Sequence, residues 1–359
     1  MKSIYDYSID SFTSYFLSIG EKKYRARQII EAIYQKKVNS FDEITNINKD
    51  AIARLKNDFY FSCLELVKTS VALDETTKYL FKLEDNNLIE TVLMKQTYGY
   101  SVCVTSQVGC NMGCLFCASG ETKKIRNLTP SEMVMQVLEV ANALEKEDKR
   151  LSHVVVMGIG EPFDNYDNLI EFIKIINEPF GLAIGARHIT ISTCGIVPRI
   201  IDFSDFPLQV NLAISLHFPN DELRNKYMPV NRKYNLSELF KALDIYYKKT
   251  NRRLTFEYIL LDNVNDSLEC AKELVSLIKG INAYVNLIPY NETDHGLKRS
   301  LDKKRDEFFN YLISHHVNAF IRKEHGGDID AACGQLRVKT DPSLKVKKGK
   351  YDRFNNKSS

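Results

Sequence analysis

Within the segment CNMGCLFC, Cys110, Cys114 and Cys117 stand in a C-x3-C-x2-C spacing. Three thiolates on one short loop can converge on a soft metal centre. A structural zinc site closes with four ligands, and no nearby His or Cys offers an obvious fourth. A [4Fe–4S] cubane held by three cysteines leaves one iron open, which is what an enzyme needs to bind a substrate or cofactor directly. The other cysteines are Cys63, Cys103, Cys194, Cys270 and Cys333. Clustered cysteines in a large chain point to metal binding or catalysis, not to a disulfide scaffold. Cys103 precedes the cluster motif by seven residues, and Cys333 lies far away in GGDIDAACGQL. Read as structure alone, both are small buried hydrophobes, although a Gly-Gly hinge is an odd place for one. Cys63 and Cys270 fall outside every motif and are assigned to packing.

The elements that must position these thiols follow from periodicity. Residues 24–37 carry Ile29, Ile30, Ile33 and Tyr34 on one helical stripe, and 51–59 repeat the pattern. The first sixty residues therefore read as a small helical module. Short β-like runs follow at 64–72, 77–83 and 88–94, separated by acidic and Asn-rich turns. From about residue 100, apolar strands at 101–105, 153–157, 188–192, 210–215, 254–260, 284–288 and 317–321 alternate with helical patterns at 130–144, 166–176, 236–247, 267–278 and 302–314. That alternation predicts a parallel sheet with both faces covered. The expected fold class is α/β: six or so such units fit a complete or partial (β/α)6-type barrel, preceded by a small N-terminal helical module and a short β extension. The expected divisions are residues 1–60 (accessory domain), 61–98 (β extension or linker), 99–336 (barrel core with the Cys333 loop) and 337–359 (basic tail).

A barrel of this kind presents its chemistry at the C-terminal ends of its strands. In MGIGEP, Gly158, Gly160 and Glu161 follow the 153–157 strand. The motif lacks the third glycine of a dinucleotide fingerprint, but its glycines let the backbone approach a ligand and Glu161 can accept from an ammonium group. Ser192, the run Ser215-Leu216-His217, and Asn291 occupy corresponding strand ends. A lone serine or histidine there is more often a local cap, yet the pattern recurs at four strand ends.

The C-x3-C-x2-C loop with Phe116 before its last cysteine resembles that of the radical S-adenosylmethionine (radical SAM) enzymes. Together with IETV, CVTSQVGCNMGCLFC, MGIGEP, HITISTCGIVP, NLAISLH, NLIPYN and DIDAACGQL, it resembles the RlmN/Cfr family of radical SAM RNA-adenosine methyltransferases over residues 20–340. Pro162 favours the RlmN branch, which acts on adenine carbon-2 of 23S rRNA and tRNA. The carbon-8 branch tends to have Ala at that place. The resemblance implies a [4Fe–4S] cluster on Cys110, Cys114 and Cys117. It implies SAM held by Gly160, Glu161, Ser192, Ser215, Leu216, His217 and Asn291, with two SAM molecules used per turnover. Cys333 is then the methyl carrier, Glu90 the proton acceptor, and Cys103 the resolving thiol that forms a transient disulfide with Cys333. Without the resemblance, Glu90 reads as a surface carboxylate on an edge strand. An electron donor such as flavodoxin or ferredoxin, and a monomeric state, complete what is implied.

Composition sets the remaining bounds. The 359 residues are 44% hydrophobic, with 49 Lys plus Arg against 46 Asp plus Glu, ordinary for a globular protein. No run of about 18 apolar residues exists, so no membrane span is expected. Asp6 and Asp10 interrupt any signal-peptide core, and a cytoplasmic location is expected. Residues 337–359 hold eight Lys/Arg and two Asp, a net +6, so the net +3 of the chain leaves −3 for residues 1–336. A basic tail suits a polyanion, as do Lys22, Lys23, Arg25 and Arg27 in the first module, which would neutralise RNA phosphates without reading sequence. Two alternatives share parts of these signs: a carbon-8 methyltransferase of 23S rRNA, and a non-catalytic RNA-binding protein with zinc at the cysteine loop.

Overall fold

The computed structural model describes residues 1–293, 296–332 and 334–336. One ten-stranded sheet organises the chain, and its strands lie side by side in sequence order. In that order they are β1 (Glu65–Val71), β2 (Thr77–Lys82), β3 (Leu88–Gln96), β4 (Gly99–Cys103), β5 (Leu151–Val156), β6 (Ile189–Thr193), β7 (Asn211–Ser215), β8 (Leu254–Leu260), β9 (Ala283–Pro289) and β10 (Asn318–Ile321). β1 to β4 pair antiparallel as a meander. From β4 to β10 every pairing is parallel. All seven strands expected for the barrel are present. The three runs expected as a β extension do not stand apart: they continue the barrel's own sheet through β4.

The helices are α1 (Ile9–Ser18), α2 (Tyr24–Ile30), α3 (Lys49–Asp58), α4 (Pro130–Glu145), α5 (Tyr166–Asn177), α6 (Val197–Phe203), α7 (Asp221–Tyr227), α8 (Leu236–Thr250), α9 (Leu268–Leu277) and α10 (Asp302–Ser314). Thr129 with Glu132, and Asn235 with Glu238, form reciprocal capping boxes at α4 and α8, each satisfying two otherwise orphaned backbone amides. α2 runs on into a π-helical turn at Glu31–Gln35. α1 to α3 form the N-terminal module, whose Asp6 carboxylate accepts from the Ser131 N–H at the start of α4 (2.8 Å). No helix of the described residues is long and apolar enough to cross a membrane.

The core that fixes the site is built at the end of β4. Gln136 on α4 accepts the Thr105 N–H (2.9 Å) and donates to the Thr105 carbonyl (3.0 Å), so a buried amide side chain completes the ladder where the strand ends. Gly158 and Gly160 then pack directly on this segment. A Cβ on Gly158 would lie 2.8 Å from the Thr105 nitrogen and the Val104 oxygen, and one on Gly160 would lie 2.7 Å from Gln107 Cβ. The close neighbour these two glycines admit is therefore the chain at 104–107.

Candidate active site

The cysteine loop leaves the sheet after β4 and is clamped on two sides. The Leu115 N–H donates to the Tyr227 carbonyl at the end of α7 (3.0 Å). On the other side the Ala118 N–H donates to the Gly334 carbonyl (2.8 Å) and Ser119 Oγ to the Leu336 carbonyl (2.6 Å). Cys110, Cys114 and Cys117 all line one cleft of about 910 Å³, together with Gly158, Gly160, Glu161, Ser192, Ser215 and His217. That is the size range of a cofactor site. Burial pushes the Cys110 thiol up to about 12 and raises Cys114 as well, so a metal centre must displace their protons as it binds. Among the described residues no three His, Cys, Asp or Glu side chains converge as ligands of a single ion. The three thiols instead border an open volume, an arrangement that fits a cluster with bulk of its own.

Glu161 is buried and its two carboxylate oxygens are both engaged. Oε2 accepts the Cys194 N–H (2.8 Å) and Oε1 the Phe163 N–H (3.0 Å). Burial raises its pKa, against the opposing pull of these donors. Ser192 Oγ and Ser215 Oγ, from neighbouring strands, lie 3.2 Å apart. His217 sits in the left-handed region, at φ 58°, with its Nδ1 accepting the Ile259 N–H (3.2 Å). Burial, helped by the charge of Arg224, brings its pKa down to about 3. The ring is therefore neutral with its proton on Nε2, packed edge-on against Phe116 at 4.9 Å. Leu216 differs from its neighbours: its side chain is wholly buried in the hydrophobic core, so it offers a ligand backbone only.

A second, smaller cleft shares Met157, Ile288 and Arg322 with the first. Cys103, at the end of β4, and Asn291 line it, as do Ala331, Ala332 and Leu336. Cys333 lies outside the described residues, as does the basic stretch 337–359. Its neighbours divide between the clefts: Ala332 borders the Cys103 side and Gly334 the three-cysteine side. Glu90, Val92 and Met94 alternate onto one face of β3, and Val92 is directly opposite Cys103. Glu90 is 5% exposed on an interior strand, which overturns its reading as a surface edge residue. Lys78 on β2 holds it, with Nζ 3.2 Å from Glu90 Oε1, and the same ammonium donates to the Asp330 carbonyl (3.1 Å).

The segment before Cys333 is anchored on the β1–β2 turn. Asp74 Oδ2 faces His325 Nδ1 (3.2 Å) and accepts the Gly326 N–H (3.3 Å), while Asp328 Oδ2 accepts the Leu73 N–H (3.1 Å). Residues that sequence reasoning passed over also border the larger cleft: Cys194, Met228, Glu257 and Arg322. Cys194 had a visible signal, since STCG follows a strand end. Cys270 is buried, but Cys63 is exposed, so packing does not account for Cys63. In the N-terminal module Arg25 is used internally by Gln28 and Asn46. Arg27 pairs with Glu31 and stacks on Phe180 at 3.7 Å. Lys22 and Lys23 stay exposed.

Comparison with known proteins follows this geometry. Residues 104–277 match the model of the radical SAM superfamily, and residues 2–60 that of the ribosomal RNA large subunit methyltransferase N-terminal domain. A Spiroplasma citri protein named as a probable dual-specificity RNA methyltransferase RlmN is 53% identical over 342 residues, 95% of this chain and 99% of that protein. An Enterococcus faecalis protein of the same name is 52% identical over 352 residues, covering 96% and 99%. The crystal structure of a radical SAM methyltransferase from Sphaerobacter thermophilus superposes with a TM-score of 0.88 at 40% identity, covering 94% of this chain and 100% of that one.

Proposed function

The chain belongs to the RlmN family of radical SAM methyltransferases, and from that premise we propose that it methylates adenine carbon-2 in RNA, in both 23S rRNA and tRNA, through a methyl-cysteine at Cys333. The two relatives named above carry dual-specificity RNA methyltransferase as their description. Carbon-2 of adenine is an electron-poor amidine carbon and does not attack a sulfonium methyl. When bound, the iron–sulfur cluster and SAM supply the one-electron chemistry that opens this carbon to bond formation.

The protein's residues do the rest. Cys110, Cys114 and Cys117 hold the cluster. Glu161 accepts from the SAM ammonium, and Gly160 leaves the backbone accessible beside it. Ser192, Ser215 and the Nε2–H of His217 offer donors along the cleft. The backbone at Leu216 and, from the adjoining smaller cleft, the side chain of Asn291 complete the set. Cys333 takes a methyl group from one SAM by displacement: its S–C bond forms as the sulfonium–methyl bond breaks, leaving S-adenosylhomocysteine. A second SAM serves the one-electron step. Once that methyl carbon has given up a hydrogen atom to the fragment released from the second SAM and bridges Cys333 and the base, Glu90 accepts the carbon-2 proton. The electron left behind is one that the bound cluster would take back. Cys103 then attacks the Cys333 sulfur, so that an S–S bond forms, the S–C bond breaks and the released carbon takes up a proton. A thiol reductant restores the two cysteines. The target base must leave its stack, a cost of roughly a few kcal/mol that is least in loops.

One juxtaposition carries this reading. The residues on either side of Cys333 border two connected clefts, one lined by Cys103, the other by the three cluster cysteines. Nucleoside mass spectrometry of 23S rRNA and tRNA from cells with and without the gene tests it. The expected result is 2-methyladenosine, lost from both RNAs on deletion. Appearance of 8-methyladenosine instead, or no change in either RNA, overturns it.

A further inference from the structure

We propose that Arg224 is the built-in counter-charge of the iron–sulfur cluster, a buried guanidinium behind the cysteine loop that favours the cluster's reduced form. This rests on the reading of Cys110, Cys114 and Cys117 as cluster ligands.

Arg224 lies on α7 and is 1% exposed, among the largest fully buried side chains of the molecule. A guanidinium does not shed its proton in a protein, so this is a permanent buried charge, and such charges are normally paired. Here the pairing is incomplete. Nη2 donates to the Cys194 carbonyl at 2.6 Å and more distantly to the Ser215 carbonyl at 3.4 Å. Nε and Nη1 have no hydrogen-bond partner among the described residues. Asp221, on the same helix, is already engaged: its Oδ1 accepts from Asn231 Nδ2 (2.8 Å) and the Leu236 N–H (2.9 Å). Asp221 still lends the guanidinium a favourable charge, but among the described residues no anion pairs with it directly.

The cysteine loop is where one would come from. Cys194, whose carbonyl takes the guanidinium, lines the same cleft as the three thiols. α7 is bonded to the loop through Leu115 and Tyr227. Phe218, Tyr227 and Met228 pack in one apolar cluster with Phe116, Cys114 and Cys117. A [4Fe–4S] centre on three thiolates carries one negative charge when oxidised and two after taking one electron from an external donor. A fixed cation in an apolar wall stabilises the second state more than the first, and cluster potentials follow local charge and solvent exclusion.

The test uses full-length protein reconstituted anaerobically, with Arg224→Gln, which keeps a donor and loses the charge, and Arg224→Lys, which keeps the charge. Midpoint potentials are read by electron paramagnetic resonance during titration with dithionite as the one-electron donor. R224Q is expected to shift to a more negative potential, with R224K remaining near the wild type. An unshifted R224Q, or equal shifts in both variants, overturns the proposal. Should R224Q load no cluster, melting of the cluster-free proteins decides: R224Q at least as stable as cluster-free wild type supports it, and a clearly lower melting temperature shows a structural pin instead. Failure of the wild type itself to take up iron and sulfide sinks the cluster reading, not the role of Arg224 within it.

Discussion

Replacing Glu161 by Gln perturbs the cleft with almost no change of shape. In the native site two carboxylate oxygens take two backbone N–H groups, from Cys194 at 2.8 Å and Phe163 at 3.0 Å. A Gln side chain can accept only one, because its NH2 presents hydrogens to the other amide. One buried N–H is then orphaned, at about 1–3 kcal/mol of stability. The same change removes the negative charge offered to the SAM ammonium. A charge-assisted hydrogen bond contributes about 1.5–3 kcal/mol, so SAM affinity should fall roughly 10- to 100-fold. Equilibrium binding of SAM to reconstituted E161Q, beside urea denaturation of both proteins, reads the two effects separately. SAM affinity within twofold of wild type, at equal cluster content, would refute the role of Glu161. An unchanged urea midpoint would refute the hydrogen-bond argument.

Other expectations concern the Cys333 side of the site. Cys103→Ala should trap protein covalently on RNA, seen as a slower-migrating RNA–protein band; a folded, SAM-cleaving variant with no such band removes Cys103 as the resolving residue. Lys78→Met removes the ammonium that the Glu90 carboxylate and the Asp330 carbonyl share. The cost should be roughly 2–4 kcal/mol in denaturant unfolding, below a fully buried pair because Lys78 is partly exposed, and a loss under 0.5 kcal/mol (about the scale of an exposed pair) would contradict it. Docking of residues 325–332 should weaken as pH falls. Burial, with Arg322 and Lys323 nearby, lowers the His325 pKa despite Asp74, so the undocked chain binds more protons below the ordinary 6.5 and docked stability, present above it, is lost on acidification. Asp74, also lowered, adds to the loss only below its ordinary 3.8. Hydrogen exchange of the Gly326 and Ala331 amides, corrected for intrinsic rate, should show protection falling between pH 7 and 5; constant protection would count against it.

Much of the barrel was legible because its strands are buried on both faces and so read as apolar runs between amphipathic helices. The cysteine loop stood out by its C-x3-C-x2-C spacing, and the strand-end residues by the place where a barrel presents its chemistry. What escaped has physical reasons. α1 is rich in Ser and aromatic residues with low helix propensity, and it stands on the Ser8 cap and the burial of Phe12 and Phe16. α7, reading DELRNKY, looks like a solvated face, and nothing local reveals that its Arg224 is enclosed. Glu90 looked like an edge carboxylate because an isolated strand does not announce how many neighbours it has; β2 and β4 flank β3 on both sides. The glycines of MGIGEP were visible, but their contact with 104–107 is tertiary.

The claim beneath all of this is that Cys110, Cys114 and Cys117 together hold an iron–sulfur cluster. Anaerobic reconstitution, with iron and acid-labile sulfide determined alongside the absorption spectrum, measures it directly. The wild type should be brown and bind iron and sulfide in equal amount, and replacing any one of the three cysteines by Ala should abolish both. A colourless protein carrying zinc without sulfide, or a triple Ala variant that keeps its sulfide, would contradict the account.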